Sequence, residues 1–182
     1  METRVKKRRS EKRVSRSDLA EYLEMARHLG AKDAKIIDPR TVKCEAWVRL
    51  KCQYGCGGYG KRLTCPPITP RPEETARVVA CYRRAILVHS QDPEGVNKII
   101  PRLERRIFLG GYYKALGLGS GPCELCDRCN VGGRCIYPHV ARPSMEACGI
   151  NVYATAHANG LPIEVVTSTK QKGDYYGLVL VD

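Results

Sequence analysis

The sequence predicts an α/β fold, with α+β as the alternative: one sheet of about four strands, packed by helices and carrying cysteine-rich metal-binding loops. Three observations point to it. Four short apolar runs have the length of strands, about four segments have helical apolar spacing, and ten cysteines fall mostly in irregular chain. With 182 residues, of which 43% are hydrophobic, the chain has enough material for one compact core.

The first elements follow a basic segment. Residues 1–17 hold eight Lys or Arg against two Glu, which is half of the net charge of +12, and we expect a disordered tail. Ser17 is placed to cap a helix that ends at Gly30. Residues 34–38 then form a short strand. The predicted organisation is a tail at 1–17 and one cysteine-rich metal-binding domain at 18–182.

The middle of the chain predicts two helices around a buried strand. Helical spacing covers residues 73–82, and residues 85–90 form a continuous apolar run typical of a buried strand. A longer helical pattern follows over residues 94–116. We expect a kink at Pro101 and a break at residues 110–111.

The last third predicts two helices and two strands. Ser144 is placed as the N-cap of a short helix that stops at Gly149. A second helix covers residues 152–160 and is capped by the preceding Asn. Strands are predicted at 162–167 and 176–181, joined by a Lys-Gly-Asp turn. The order of the strands in the sheet is not readable from the sequence.

The strongest chemical signal is a run of cysteines with the spacing C-x2-C-x2-C-x5-C. It comprises Cys123, Cys126, Cys129 and Cys135. Three thiolates at i, i+3 and i+6 can wrap a short loop around three corners of an iron-sulfur cubane, as in bacterial ferredoxins. Zinc is the runner-up, because it needs four tetrahedral ligands that usually come from two separated C-x2-C pairs. We take Cys135 as the fourth candidate ligand.

A second run of cysteines lies in residues 44–67, which we expect to be an irregular ligand loop. It comprises Cys52, Cys56 and Cys65, with glycines between them. A second metal site is one interpretation. Another is that Cys65, which precedes a proline, completes the cluster begun by Cys123. A zinc knuckle or a glycine-rich turn with buried thiols is the third.

The other cysteines and histidines give weaker signals. We interpret Cys44, Cys81 and Cys148 as small core residues. The four histidines form no recognised metal motif, and His139 alone lies close enough in sequence to be an outside candidate ligand. The chain has no Walker A loop, dinucleotide fingerprint, nucleophile elbow or kinase signature, so nucleotide-driven chemistry is unsupported.

The expected compartment is the cytoplasm. The basic N-terminal residues precede no apolar signal-peptide core, and the sequence has no run of 18 apolar residues for a membrane helix. We therefore expect no membrane association. In a reducing compartment, clustered thiols are better explained as metal ligands than as disulfides.

These motifs resemble those of the predicted metal-binding proteins of archaea and anaerobic bacteria grouped as domain of unknown function 2284. The matching pieces, within about residues 30–180, are Cys52-x3-Cys56 with Tyr59-Gly60, Cys65-Pro66-Pro67, the run from Gly121 to Cys135, and the segment from Ala141 to Ile150. The resemblance implies a bound metal, with an iron-sulfur cluster favoured. The implied ligands are Cys52, Cys56, Cys65, Cys123, Cys126, Cys129 and Cys135. It implies no substrate.

The leading hypothesis is a protein with one or two 4Fe-4S clusters that acts in electron transfer or as a redox accessory to an anaerobic enzyme. Surface Lys and Arg favour an acidic redox partner. One alternative is an enzyme whose cluster has an open iron that binds a small substrate as a Lewis acid. The other is a zinc-stabilised module that binds nucleic acid through residues 1–17, which is not favoured because no aromatic residue interleaves the charges.

Overall fold

The computed structural model describes residues 19–182, which form one antiparallel sheet surrounded by helices. The strands are β1 (Asp33–Ile37), β2 (Ala85–Ser90), β3 (Leu116–Leu118) and β4 (Tyr175–Leu180), in the spatial order β1-β2-β4-β3. The helices are α1 (Ala20–His28), α2 (Ala46–Gly55), α3 (Pro72–Val79), α4 (Pro93–Leu109) and α5 (Val152–Ala158), with 3₁₀ turns at Pro39–Thr41 and Glu146–Cys148. The prediction of a mixed helix and strand fold with one four-stranded sheet is confirmed.

Each face of the sheet has its own core. On one face, α1 and α4 pack against β1, β2 and β4 through residues such as Ile86, Ile100 and Val179. On the other face, Leu87 and Leu178 meet the loop and turn residues that precede α5. All six residues of β2 are buried, because the strand is central and covered on both sides. This explains the continuous apolar run that predicts it.

The predicted strand at 162–167 is wrong. Residues 161–167 have no strand pairing, and Val165 and Val166 are exposed. The predicted hairpin with β4 does not form because β4 already pairs with β2 on one side and with β3 on the other. The fourth strand is β3, at the point where the sequence pattern extends a helix to residue 116. That helix, α4, ends at Leu109, and Gly111 follows with a φ of 99°.

Other boundaries differ in smaller ways. The interval 44–67 is not wholly irregular, because α2 occupies its first half. Pro101 lies inside α4, which continues past it. The short helix expected after Ser144 is the 3₁₀ turn Glu146–Cys148, with Gly149 at a φ of 77° as its stop. The tail at 1–17 and the cap at Ser17 lie outside the described residues.

The chain between Pro143 and Ile150, which we name the linking segment, connects the parts of the fold that carry cysteines. Gly119, just after β3, accepts a hydrogen bond from Met145 N at 3.0 Å. On the other side, Glu45 N, at the start of α2, donates to Gly149 O at 2.9 Å. The linking segment therefore fixes the start of α2 relative to the chain that leads into the second cysteine run.

No helix within residues 19–182 combines the length and the apolar character needed to cross a bilayer.

Candidate metal centre

Helix α2 and the loop after it carry Cys52, Cys56 and Cys65, which we name the first thiol group. Cys52 lies on the same face of α2 as the buried Val48, Cys56 is the C-cap residue, and Cys65 is in the following loop. All three thiols line one cavity of about 400 Å³. Helix α2 has no side-chain N-cap and packs against the turn Glu146–Cys148, so tertiary contacts hold it in place.

The thiols of the first group affect one another's ionisation. The pKa of Cys52 is raised to about 11, chiefly by burial and then by the neighbouring Cys56, Glu146 and Cys65 in that order. Burial also raises the pKa of Cys65, with Cys56 as the next cause. These thiols resist ionising together unless positive charge is placed among them, which is what a metal centre supplies.

Gly58 leaves room for sulfur in the first thiol group. A Cβ added to this residue would lie 3.2 Å from Cys65 Sγ and 3.6 Å from Cys56 Sγ. The amide of Gly58 also donates to Cys56 Sγ at 3.5 Å. By contrast, a Cβ on Gly57 would meet nothing within 4 Å. Gly58 is therefore a position at which the backbone comes close to the sulfurs of the first group.

The irregular chain after β3 carries the second thiol group, which comprises Cys123, Cys126, Cys129 and Cys135. All four are partly buried and none is in a disulfide. Partial burial raises the pKa of Cys126, and the neighbouring thiols of Cys123, Cys129 and Cys135 raise it further in that order. The four thiols are thus electrostatic neighbours.

The two thiol groups lie side by side. The amide of Leu63, in the loop of the first group, donates to Cys129 Sγ in the second at 3.4 Å. Cys123 is among the causes that raise the pKa of Cys65, after burial and Cys56. Cys65 therefore lies at the border of the two groups.

The thiols of the first group surround a cavity, and in neither group do they converge on one point. Within residues 19–182, no three His, Cys, Asp or Glu side chains are gathered closely enough to hold a single metal ion. The donor chemistry still fits a metal group, because thiolates are soft ligands suited to iron-sulfur clusters and zinc. Amide donors to sulfur, such as Leu63 and Gly58, are a usual feature around thiolate-bound clusters.

Glu146 is a residue of this site that sequence analysis missed. It lines the cavity of the first thiol group, and its Oε2 is buried without a hydrogen-bond partner. Burial raises the pKa of this carboxyl. The sequence shows it only as an acid in a short capped segment, and Ser144 Oγ does accept a hydrogen bond from Ala147 N at 3.0 Å. Nothing in the sequence around Glu146 indicates that this residue faces the cavity of the first thiol group.

Arg49 is a second residue that the sequence did not indicate. Its guanidinium donates to the main-chain carbonyls of Pro70 at 2.8 Å, Thr69 at 3.2 Å and Pro67 at 3.3 Å. These bonds tie α2 to the loop that follows Cys65. Arg49 therefore fixes the positions of two segments that carry thiols of the first group.

The remaining candidates have varied environments. Cys148 is buried in the core, which raises its pKa to about 12, and Cys44 is half-buried against the same core. Cys81 is exposed, so its interpretation as a core residue is wrong: it follows α3 at a surface turn, and its thiol donates to a carbonyl of that helix. His139 is exposed.

Positive charge is concentrated beside the second thiol group. A cavity of about 740 Å³ is lined by Lys61, Arg62 and Arg128 together with Cys129. Asp127 is the acidic residue on this wall. Lys61 and Arg62 lie in the loop of the first thiol group, and Arg128 lies in that of the second. The packing of the two groups against each other therefore creates this basic surface.

A small sheet that presents cysteine-rich loops with adjacent thiols and amide donors defines a metal-binding class of protein. The chain belongs to the family described as Predicted metal-binding protein (DUF2284), whose model matches residues 35–181. The resemblance found in the sequence is thereby confirmed. Neither the curated proteins nor the solved structures contain a match to this chain.

Proposed function

We propose that this protein binds one or two 4Fe-4S clusters and acts in electron transfer or as a redox accessory to an anaerobic enzyme. The observation that carries the proposal is the adjacency of two all-thiol groups, with main-chain amides that donate to Cys56 and Cys129. Zinc needs four donors at about 2.0–2.3 Å, whereas the thiols of the first group, which line a cavity, suit a larger inorganic group.

The proposed ligands are the seven cysteines of the two thiol groups. When bound, the cluster supplies a centre that accepts and releases one electron at a time. The chain's part is to fix the thiolates, to donate hydrogen bonds to their sulfurs and to exclude water, which together set the reduction potential. All ten cysteines are free, a state that a reducing compartment such as the cytoplasm maintains.

The basic surface supports an acidic redox partner. Lys61, Arg62 and Arg128 line the same cavity as Cys129, so a partner held by these charges would approach the second thiol group directly. Reversing all three charges should slow electron exchange with an acidic electron-carrier protein at low salt, and the difference should vanish as salt rises. K32E, a change at an exposed site beside β1, is the control. Equal rates for the variant and the wild type at low salt would exclude this docking surface.

An enzyme with an open iron is the second candidate. The first group offers three thiols, and the cavity they line, of about 400 Å³, also has walls formed by Trp47 and Tyr59. Such a cavity has room for a small molecule beside a cluster. If this candidate is right, C56S should abolish turnover of that molecule while C126S leaves part of it.

The test of the leading proposal is anaerobic purification of the full chain followed by analysis of its iron, sulfide and spectra. The protein should be brown, contain acid-labile sulfide and give an electron paramagnetic resonance signal after reduction. C126S should remove the iron and sulfide of one cluster. C56S should remove those of the other cluster if there are two. C81S, at the exposed surface cysteine, should change neither content. A colourless protein with stoichiometric zinc would overturn the proposal.

A further inference from the structure

The carboxylate of Glu146 is the strongest unexplained feature in the described chain. Its Oε2 is buried, lacks a hydrogen-bond partner and belongs to a residue that lines the cavity of the first thiol group. A buried carboxylate oxygen without a partner is costly, so one that persists points to a missing ligand. The cavity places three thiols, from Cys52, Cys56 and Cys65, around that ligand.

The main chain around Glu146 is fixed by contacts on several sides. Its carbonyl accepts from Gly149 N at 2.8 Å and lies 3.8 Å from Cys52 Sγ. The carbonyl of the next residue, Ala147, accepts from Thr69 Oγ1 at 2.5 Å. The turn is therefore held against α2 and the loop of the first group, while its Glu146 Oε2 is left without a hydrogen-bond partner.

Ser144 and the main chain of Glu146 itself contact this carboxyl, but its Oε2 has no hydrogen-bond partner. The guanidinium of Arg49 is engaged by main-chain carbonyls, and no ion pair to Glu146 forms within residues 19–182. Glu45, at the start of α2, differs: its Oε2 accepts from Trp47 and from Asn151. Of these two acids, Glu146 is the one whose buried oxygen is free to bind a metal.

We propose that Glu146 supplies the fourth ligand of the metal group bound by the first thiol group, giving a site with three sulfur ligands and one oxygen ligand. This inference rests on the proposed function and completes the coordination that three cysteines leave one short. A carboxylate is a harder ligand than a thiolate, so the iron that it binds would differ electronically from the other three.

The test uses full-length protein loaded anaerobically with ⁵⁷Fe and measured by Mössbauer spectroscopy. Wild-type protein should show one iron subsite with a larger isomer shift than the thiolate-bound irons. E146C replaces oxygen with sulfur, so this separate subsite should merge with the others while the iron content stays unchanged. E146Q should lose the distinct iron and give the paramagnetic signal of a three-iron cluster. E124Q, an exposed carboxylate change beside the second group, is the matched control and should match wild type.

The outcomes separate this inference from the function on which it rests. Iron and sulfide in the wild type, with no distinct subsite and no spectral change in E146C, would overturn the role of Glu146 and leave the cluster proposal standing. Wild-type protein without iron and sulfide would overturn both. If E146Q fails to fold, the wild-type and E146C spectra still decide, because the inference requires the distinct subsite in one and its absence in the other.

Discussion

Substitution of Gly58 by alanine should weaken metal loading much more than it weakens the fold. The added Cβ would lie 3.2 Å from Cys65 Sγ, 3.5 Å from the Cβ of Pro122 and 3.6 Å from Cys56 Sγ. The shortest of these contacts is tighter than ordinary van der Waals contact, so Cys65 must move by a few tenths of an ångström. The φ of Gly58 lies outside the left-handed region, so alanine adds no backbone strain there.

The expected magnitudes follow from this displacement. Metal sites tolerate ligand errors of about 0.2 Å, and changes to the surroundings of a ligand commonly cost about 10–100-fold in metal affinity. We expect a loss of that size for Gly58→Ala. Slight overpacking costs about 1 kcal/mol, and the reduced freedom of the unfolded chain returns about 0.4–1 kcal/mol. The free energy of unfolding of metal-free protein should therefore change by less than about 1 kcal/mol.

The assay is iron content after reconstitution at limiting iron and sulfide, alongside urea denaturation of the metal-free chain. Gly57→Ala is the matched control, because its Cβ would meet nothing within 4 Å. It carries the same change in backbone freedom and should load iron as wild type does. Equal loading of the two variants would refute the reasoning that Gly58 provides space for the sulfurs.

Substitutions, thiol labelling and the pH dependence of stability test the packing. Arg49→Ala should lower the free energy of unfolding of the metal-free chain by about 2 kcal/mol in urea, because carbonyls in the loop after Cys65 lose a charged donor. Gly177→Ala places a Cβ 2.7 Å from side chains of α4 and should cost about 2–3 kcal/mol, whereas Gly55→Ala, with open space around it, should cost nothing. In metal-free protein at pH 8, iodoacetamide should modify the exposed Cys81 and spare Cys148, whose pKa is about 12. Because burial raises that pKa above its ordinary value of 9.0, stability should fall as pH rises from about 9 to about 12. If Arg49→Ala or Gly177→Ala unfolds at the same urea concentration as Gly55→Ala, the packing expectations are wrong. Early labelling of Cys148 would contradict its burial.

Elements with strong local signals could be predicted from the sequence. The apolar run of β2 and the helical spacing of α4 each reflect burial that depends on the element's own residues. Helix α5 begins where its cap predicts, since Asn151 Oδ1 accepts from Ala154 N at 3.0 Å. These features need no knowledge of which elements become neighbours.

The elements that the sequence failed to predict are those stabilised by contacts between residues far apart in the chain. Helix α2 was missed because it lacks a side-chain cap and exposes Trp47, Leu50 and Tyr54, so tertiary packing has to stabilise it. β3 is three residues long and has a glycine at its centre, where a Cβ would lie 2.7 Å from the side chain of Ile100 on α4. A strand this short forms only because it pairs with a neighbouring strand and packs against a helix.

The same division holds for the candidate site. Cysteine spacing alone indicated both thiol groups, because close thiols along a loop must be close in space. Glu146 was not predictable in this way, since it lies 94 residues from Cys52 in sequence and reaches the same cavity only through the linking segment. The adjacency of Leu63 and Cys129 is equally non-local.

The most direct test of cluster binding is the ratio of iron to acid-labile sulfide per chain in anaerobically purified wild-type protein. We expect equal amounts of iron and sulfide, in multiples of four per chain for one or two clusters. Zinc bound at a stoichiometric level without sulfide, or a chain free of metal, would contradict it.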